Sequence, residues 1–125
     1  MELHVDVPWI LQVVEAARAG DPAPDDYGVP VAAIARHRAE VLEEPVYRGP
    51  YAKAAALVHT LGRCHWLEHS NLLVAAATGV MYLNAAGVDV KPSRDDVIAL
   101  RDLLTDPQCT AAVIADTLKS WPKSS

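Results

Sequence analysis

Cysteine is scarce in this chain. Cys64 and Cys109 are the only two, too few for a disulfide framework and at no zinc-ligand spacing. A membrane segment is also missing. The longest apolar stretch, Leu72 to Leu83, is 12 residues, short of the roughly 18 that a bilayer-spanning helix needs. The opening Met-Glu-Leu-His-Val-Asp has no basic region followed by an apolar one, so no secretory signal is expected. With cysteine this sparse, the reading is a cytoplasmic, reduced protein. Basic charge is in deficit: 11 Lys and Arg against 16 Asp and Glu give a net charge of −5 and a pI near 5.4. That balance excludes the basic footprint of a dedicated nucleic-acid binder. There is no internal repeat and no low-complexity block.

What is present suits a globular fold. The 125 residues are 51% hydrophobic and 22% charged, with mean hydropathy +0.09. This excludes wholesale disorder. A single domain over residues 1–125 is expected, long enough to hold a core without metals or disulfides.

Helical spacing dominates. Asp6 caps a first helix with Pro8 in its first turn. Trp9, Ile10, Val13, Val14 and Ala17 then recur on one face, and Gly20 closes it. The prolines and glycine of residues 21–28 mark a loop. A second helix is expected over Pro30 to Leu42, with Val31, Ile34, Ala35, Val41 and Leu42 inward and Arg36, His37, Arg38 and Glu40 solvated. Pro45 ends that stretch, because the residue before a proline disfavours helical backbone. A third helix runs from Tyr51 to about Arg63, carrying Ala54, Leu57, Val58 and Leu61, with Lys53 solvated. Ser70 caps a fourth, Asn71 to Ala86, stopped by Gly87. Having no charged residue, this fourth helix is expected at the centre of the bundle. Ser93 caps a fifth helix, with Asp95 and Asp96 favourably placed in its first turn. It reaches about Thr105. The last helix covers about Cys109 to Ser120, with Ala112, Val113, Ala115 and Leu118 inward and a frayed tail from Pro122. No strand pair is expected. The fold class is therefore all-α, a compact bundle of about six helices around a central apolar helix.

Polar residues gather at one place: His65, Glu68, His69, Ser70 and Asn71 precede the most apolar helix. The first N–H groups of a helix have no intrahelical partner, and the dipole adds partial positive charge. Such an end accepts a phosphate. A histidine one turn away can take a proton from an attacking hydroxyl. The plainer reading of the same residues is a capping serine and a surface histidine. Other candidates have plain readings too. Cys64 is a neighbour of His65 rather than a nucleophile, since adjacent residues point apart. Glu43–Glu44 and Asp95–Asp96 are helix-end charges. Trp9, Trp66 and Trp121 are core or partner-contact residues.

Three stretches carry a family resemblance: Ala52-Lys53-Ala54-Ala55-Ala56-Leu57, then Leu61-Gly-Arg-Cys-His65-Trp-Leu-Glu-His-Ser-Asn71, then Tyr82-Leu83-Asn84-Ala-Ala-Gly87-Val88. They resemble the Fic/Doc family, and within it the death-on-curing toxins of toxin–antitoxin modules. There an Ala-rich helix leads to His-Pro-Phe-x-Asp-Gly-Asn-Lys-Arg and then to a long helix. The resemblance covers roughly Val7 to Trp121. It implies that His65 is the base toward a target hydroxyl, and that Ser70 and Asn71 hold phosphate. It also implies ATP or another nucleoside triphosphate with Mg²⁺, a protein target such as a translation factor, and an antitoxin protein as partner. Neither direct nucleic-acid binding nor a membrane is implied.

The chain departs from that pattern at specific positions. His69 stands where the family has the acidic magnesium ligand, and Glu68 is acidic one residue early. A neutral imidazole suits a hard cation poorly, so Glu68 and His69 are weak metal candidates. Leu72 and Leu73 replace a Lys/Arg pair that clamps phosphates, a loss of transition-state stabilisation. Arg63, Arg48 and Lys53 are candidate replacements. Two function classes follow. One is a toxin moving phosphate or AMP from a nucleotide to a protein hydroxyl. The other is a catalytically impaired protein of the same fold that acts by binding a partner.

Overall fold

The computed structural model describes residues 3–17 and 22–123. Six helices follow in order: α1 (Val7–Ala17), α2 (Gly28–His37), α3 (Gly49–Arg63), α4 (Asn71–Ala85), α5 (Arg94–Leu104) and α6 (Ala111–Ser120). Between α2 and α3 lies a two-stranded antiparallel hairpin, β1 (Glu40–Val41) with β2 (Glu44–Pro45), pairing Glu40 with Pro45 and Val41 with Glu44. The all-α bundle is as the sequence predicts, apart from this hairpin.

Local chemistry explains the helix ends. The Trp9 N–H donates to Asp6 Oδ1 at 2.9 Å, opening α1. Ser93 and Asp96 form a reciprocal capping box on α5. Gly87 takes φ +92°, and the Val88 N–H reaches back to the Leu83 carbonyl at 2.8 Å, closing α4. The expected stop at Gly20 lies outside the described residues.

The central helix is α3, not the fourth as expected. It packs against α2, α4, α5 and α6, whereas α4 lies against α3, α1 and α5. Small side chains make this possible. Ala54, Ala55 and Ala56 are fully buried on α3, and Gly79 of α4 lies against Val58, so that an added Cβ would meet Val58 Cγ2 at 2.9 Å. The outer face of α4 carries exposed Leu73 and Met81. The uncharged helix thus shows Leu73 and Met81 at the surface, while the Ala-rich helix carries a buried lysine and touches more of the other helices.

Further expectations are corrected. Helix α2 stops at His37, and its inward stripe is Val29, Pro30, Ala33, Ile34 and His37. Val31, Ala35, Val41 and Leu42 are exposed, and His37 is buried. The hairpin intervenes because Leu42 and Glu43 adopt left-handed backbone, φ 53° and 67°, which gives the twist a two-residue turn needs. Lys53 is buried rather than solvated, its Nζ donating to the His37 carbonyl at 3.3 Å. Helix α6 begins at Ala111, because Thr110 accepts from the Val113 N–H as its cap. Its inward residues are Ala111, Ile114, Ala115 and Leu118, and Ala112 and Val113 are exposed. Pro122 and Lys123 are held rather than frayed: the Lys91 N–H donates to the Pro122 carbonyl at 2.7 Å, and Val90 bridges Lys123.

Candidate functional site

Helix α3 ends at Cys64, whose extended backbone (φ −92°, ψ 132°) turns the chain toward α4. Trp66 and Leu67 follow, both fully buried. The Trp66 indole Nε1–H donates to the Leu61 carbonyl at 3.0 Å, and its own carbonyl accepts from the Asp25 N–H at 2.8 Å. The two apolar side chains anchor the loop in the core and leave His65, Glu68 and His69 exposed around them.

Asn71 fastens the loop to α4. Its Oδ1 accepts from the backbone N–H groups of Leu67 (3.0 Å) and Trp66 (3.3 Å). Its Nδ2 donates to the Leu67 carbonyl at 2.7 Å and lies 3.4 Å from His65 Nδ1. Ser70 occupies the N-cap position, but its side chain makes no capping bond to the helix. The first-turn N–H groups of α4 are left without a cap acceptor there.

His65 and Asn71 line a cleft of about 270 Å³ together with Arg63, Cys64, Leu72 and Arg101. Arg63 is held by the end of α5, its Nη1 donating to the carbonyls of Asp106 (2.6 Å) and Leu104 (3.3 Å). Arg101 comes from α5 and pairs with its neighbour Asp102 at 3.2 Å, both exposed. An exposed pair of this kind is weak, so the guanidinium can turn to a stronger anion. The cleft therefore combines two cations, one imidazole and a helix N-terminus, a setting for an anionic group such as phosphate.

Of the residues expected to act together, His65 and Asn71 line this cleft, while Ser70 sits at the N-cap of α4 and is not part of the lining. Of the three candidate cations, Arg63 reaches the cleft. Arg48 instead pairs with Glu44 at 2.8 Å, and Lys53 lines a different cavity, of about 650 Å³, with Leu3, His4 and Tyr82. Arg101 was missed, because only the packing of α5 beside the loop brings it in. Glu68 and His69 lie 3.6 Å apart, both exposed. Among the described residues no three His, Cys, Asp or Glu side chains group as metal ligands. Magnesium is usually held by one or two carboxylates together with substrate phosphates and water, and Glu68 is the carboxylate of this loop.

Burial lowers His37 to about 4, against a backbone hydrogen bond to Ile34 that raises it. Burial also lowers His59, with Arg36 and Arg63 adding to the effect. The Cys109 thiol is pushed up by burial.

No protein-family model matches the chain. A curated relative does: Toxin Doc of Mycolicibacterium smegmatis is 32% identical over 106 residues, which span 85% of this chain and 81% of the relative.

Proposed function

The chain belongs to the Doc toxin family, and from that premise we propose that it is the toxin of a toxin–antitoxin pair, acting through the His65 cleft. The reaction is transfer of phosphate or AMP from ATP, or another nucleoside triphosphate, to a hydroxyl of a protein target such as a translation factor. The observation that carries this reading is the meeting of His65, Asn71, Arg63 and Arg101 in one cleft at the start of α4. The nucleotide's phosphates lie against the two guanidinium groups and the first-turn N–H groups. The target hydroxyl loses its proton to His65 while its oxygen bonds to phosphorus. The leaving group is the nucleoside diphosphate if the γ phosphate moves, or pyrophosphate if AMP moves. Arg63 and Arg101 offset the charge that develops, replacing the cations absent at Leu72 and Leu73. An antitoxin segment covers the toxin when both are made.

A second reading is favoured by a specific observation. Leu72 lines the cleft where the family pattern has a cation, and His69 stands where that pattern has the acidic magnesium ligand. On that reading the fold is kept for partner binding alone.

Labelled ATP separates the two. Purified protein is incubated with bacterial lysate, Mg²⁺ and ATP labelled on the α or the γ phosphate, with His65→Ala in parallel. Transfer of γ label to a protein identifies a kinase, and transfer of α label identifies AMP transfer; His65→Ala loses either. If neither label moves in several lysates, the binding reading replaces the transferase. Growth inhibition on expression without antitoxin is expected for the wild type and absent for His65→Ala.

A further inference from the structure

The Asn71 amide has one orientation that satisfies its surroundings. Oδ1 must be the atom facing the N–H groups of Trp66 and Leu67, because both are donors. Nδ2 must be the atom facing the Leu67 carbonyl, an acceptor only. Exchanging the two would break all three contacts. The amide is therefore fixed by backbone on two sides, and no freedom remains in which atom it turns to His65. That atom is Nδ2, at 3.4 Å from His65 Nδ1. A carboxamide nitrogen donates and does not accept, so Nδ1 must carry the lone pair. A neutral imidazole holds a single ring proton, which then sits on Nε2.

We propose that Asn71 is a positioning residue that sets the tautomer of His65, holding Nδ1 as acceptor and so leaving the ring proton on Nε2 in the resting cleft. This inference rests on the reading of His65 as the residue that acts in the cleft. It changes what that residue does before a target arrives. With a proton on Nε2, the ring donates from that nitrogen, which suits an anionic oxygen of a phosphate. To take a proton at Nε2 from a hydroxyl, the ring must first shift its own proton to Nδ1, and the Asn71 contact is lost in doing so. The ring proton must therefore move to Nδ1 before His65 takes one from the hydroxyl, and the Asn71 amide acts through the imidazole rather than on the phosphate.

The tautomer is read directly by nitrogen-15 NMR of the imidazole, on the full-length protein at a pH where the ring is neutral. In the wild type, the His65 signals are expected to show a proton on Nε2 and a bare Nδ1. Asn71→Asp puts an acceptor oxygen where Nδ2 was, and the proton is expected to move to Nδ1. Asn71→Ala removes the contact, and the two nitrogens are expected to average toward a free imidazole. The Asn71→Asp result is read only where circular dichroism and the buried methyl signals match the wild type. The wild-type spectrum and Asn71→Ala stand as tests if that variant fails to fold. A wild-type ring with its proton on Nδ1, or a tautomer unchanged in both variants, overturns the proposal. The outcome does not depend on transfer activity: if no label moves from ATP but the tautomer follows Asn71, the transferase reading fails and this one stands.

Discussion

The two ends of α3 use the same kinds of side chain in opposite ways. Near its N-terminus, a lysine and a histidine are sealed inside. Lys53 donates to the His37 carbonyl, and His37 is bonded through both ring nitrogens: Nδ1 donates to Ile34 O at 2.6 Å, and Nε2 accepts from the Val5 N–H at 3.1 Å. At its C-terminus, Arg63 and His65 face an open cleft. Burial makes every polar group a structural obligation, since an unmet partner is costly. Exposure leaves the groups at the other end able to bind something else. The larger cavity is at the structural end, so size alone points away from the chemistry.

Three changes test this contrast, beginning with the largest effect. Trp66→Ala removes the fully buried indole that anchors the cleft loop. It is expected to cost about 3–5 kcal/mol, the usual range for a buried aromatic, measured by urea denaturation. A loss below about 1 kcal/mol would mean that the loop is not held by the core. Acidification acts on the other end. The folded pKa of His37 lies below its unfolded value, at about 4 against 6.5. Its stabilising contribution is complete above pH 6.5 and declines as pH falls toward 4. The full loss is about 3 kcal/mol, from 1.36 kcal/mol per pKa unit. His37→Gln should flatten the fall in urea midpoint between these limits, and parallel curves for the two proteins would remove His37 as the cause. The smallest change is Arg101→Ala. It should alter stability by less than about 0.5 kcal/mol, as for other exposed positions, while lowering label transfer from ATP. Unchanged transfer would place Arg101 outside the site.

Much of this was legible in the residues. Asp6, Ser93 and Gly87 fix helix ends through contacts within a few positions of themselves, and the structure has them so. The polar cluster from His65 to Asn71 is local too, and its first and last residues line the cleft. What was not legible depends on distant packing. The expected stripe of α2 falls out of phase because a histidine counts as solvated until a backbone N–H from residue 5 is found opposite it. Lys53 reads as surface for the same reason. The hairpin turn at Leu42 and Glu43 lacks the Asn-Gly signal that announces left-handed backbone. Ser70 looks like a cap, but the bonds that tie the loop to α4 are made by Asn71. Arg101 lies 30 positions beyond Asn71, and no local pattern links the two.

The close seam between α3 and α4 bears on how the chain can change over generations. At Gly79 an added methyl would meet Val58 Cγ2 at 2.9 Å, and at Gly62 it would meet Ala75 Cβ of α4 at 3.3 Å and Leu104 Cδ1 of α5 at 2.5 Å. A side chain at either position requires Val58 or Leu104 to shift, so the seam favours the smallest residue there. Leu72 and Leu73 lie outside it, partly or half exposed. Leu72 still packs against the core, whereas Leu73 is half exposed and less restrained by the fold. A change of charge at Leu73, next in sequence to the cleft residue Leu72, would therefore come at less cost to the bundle than a change at Gly79.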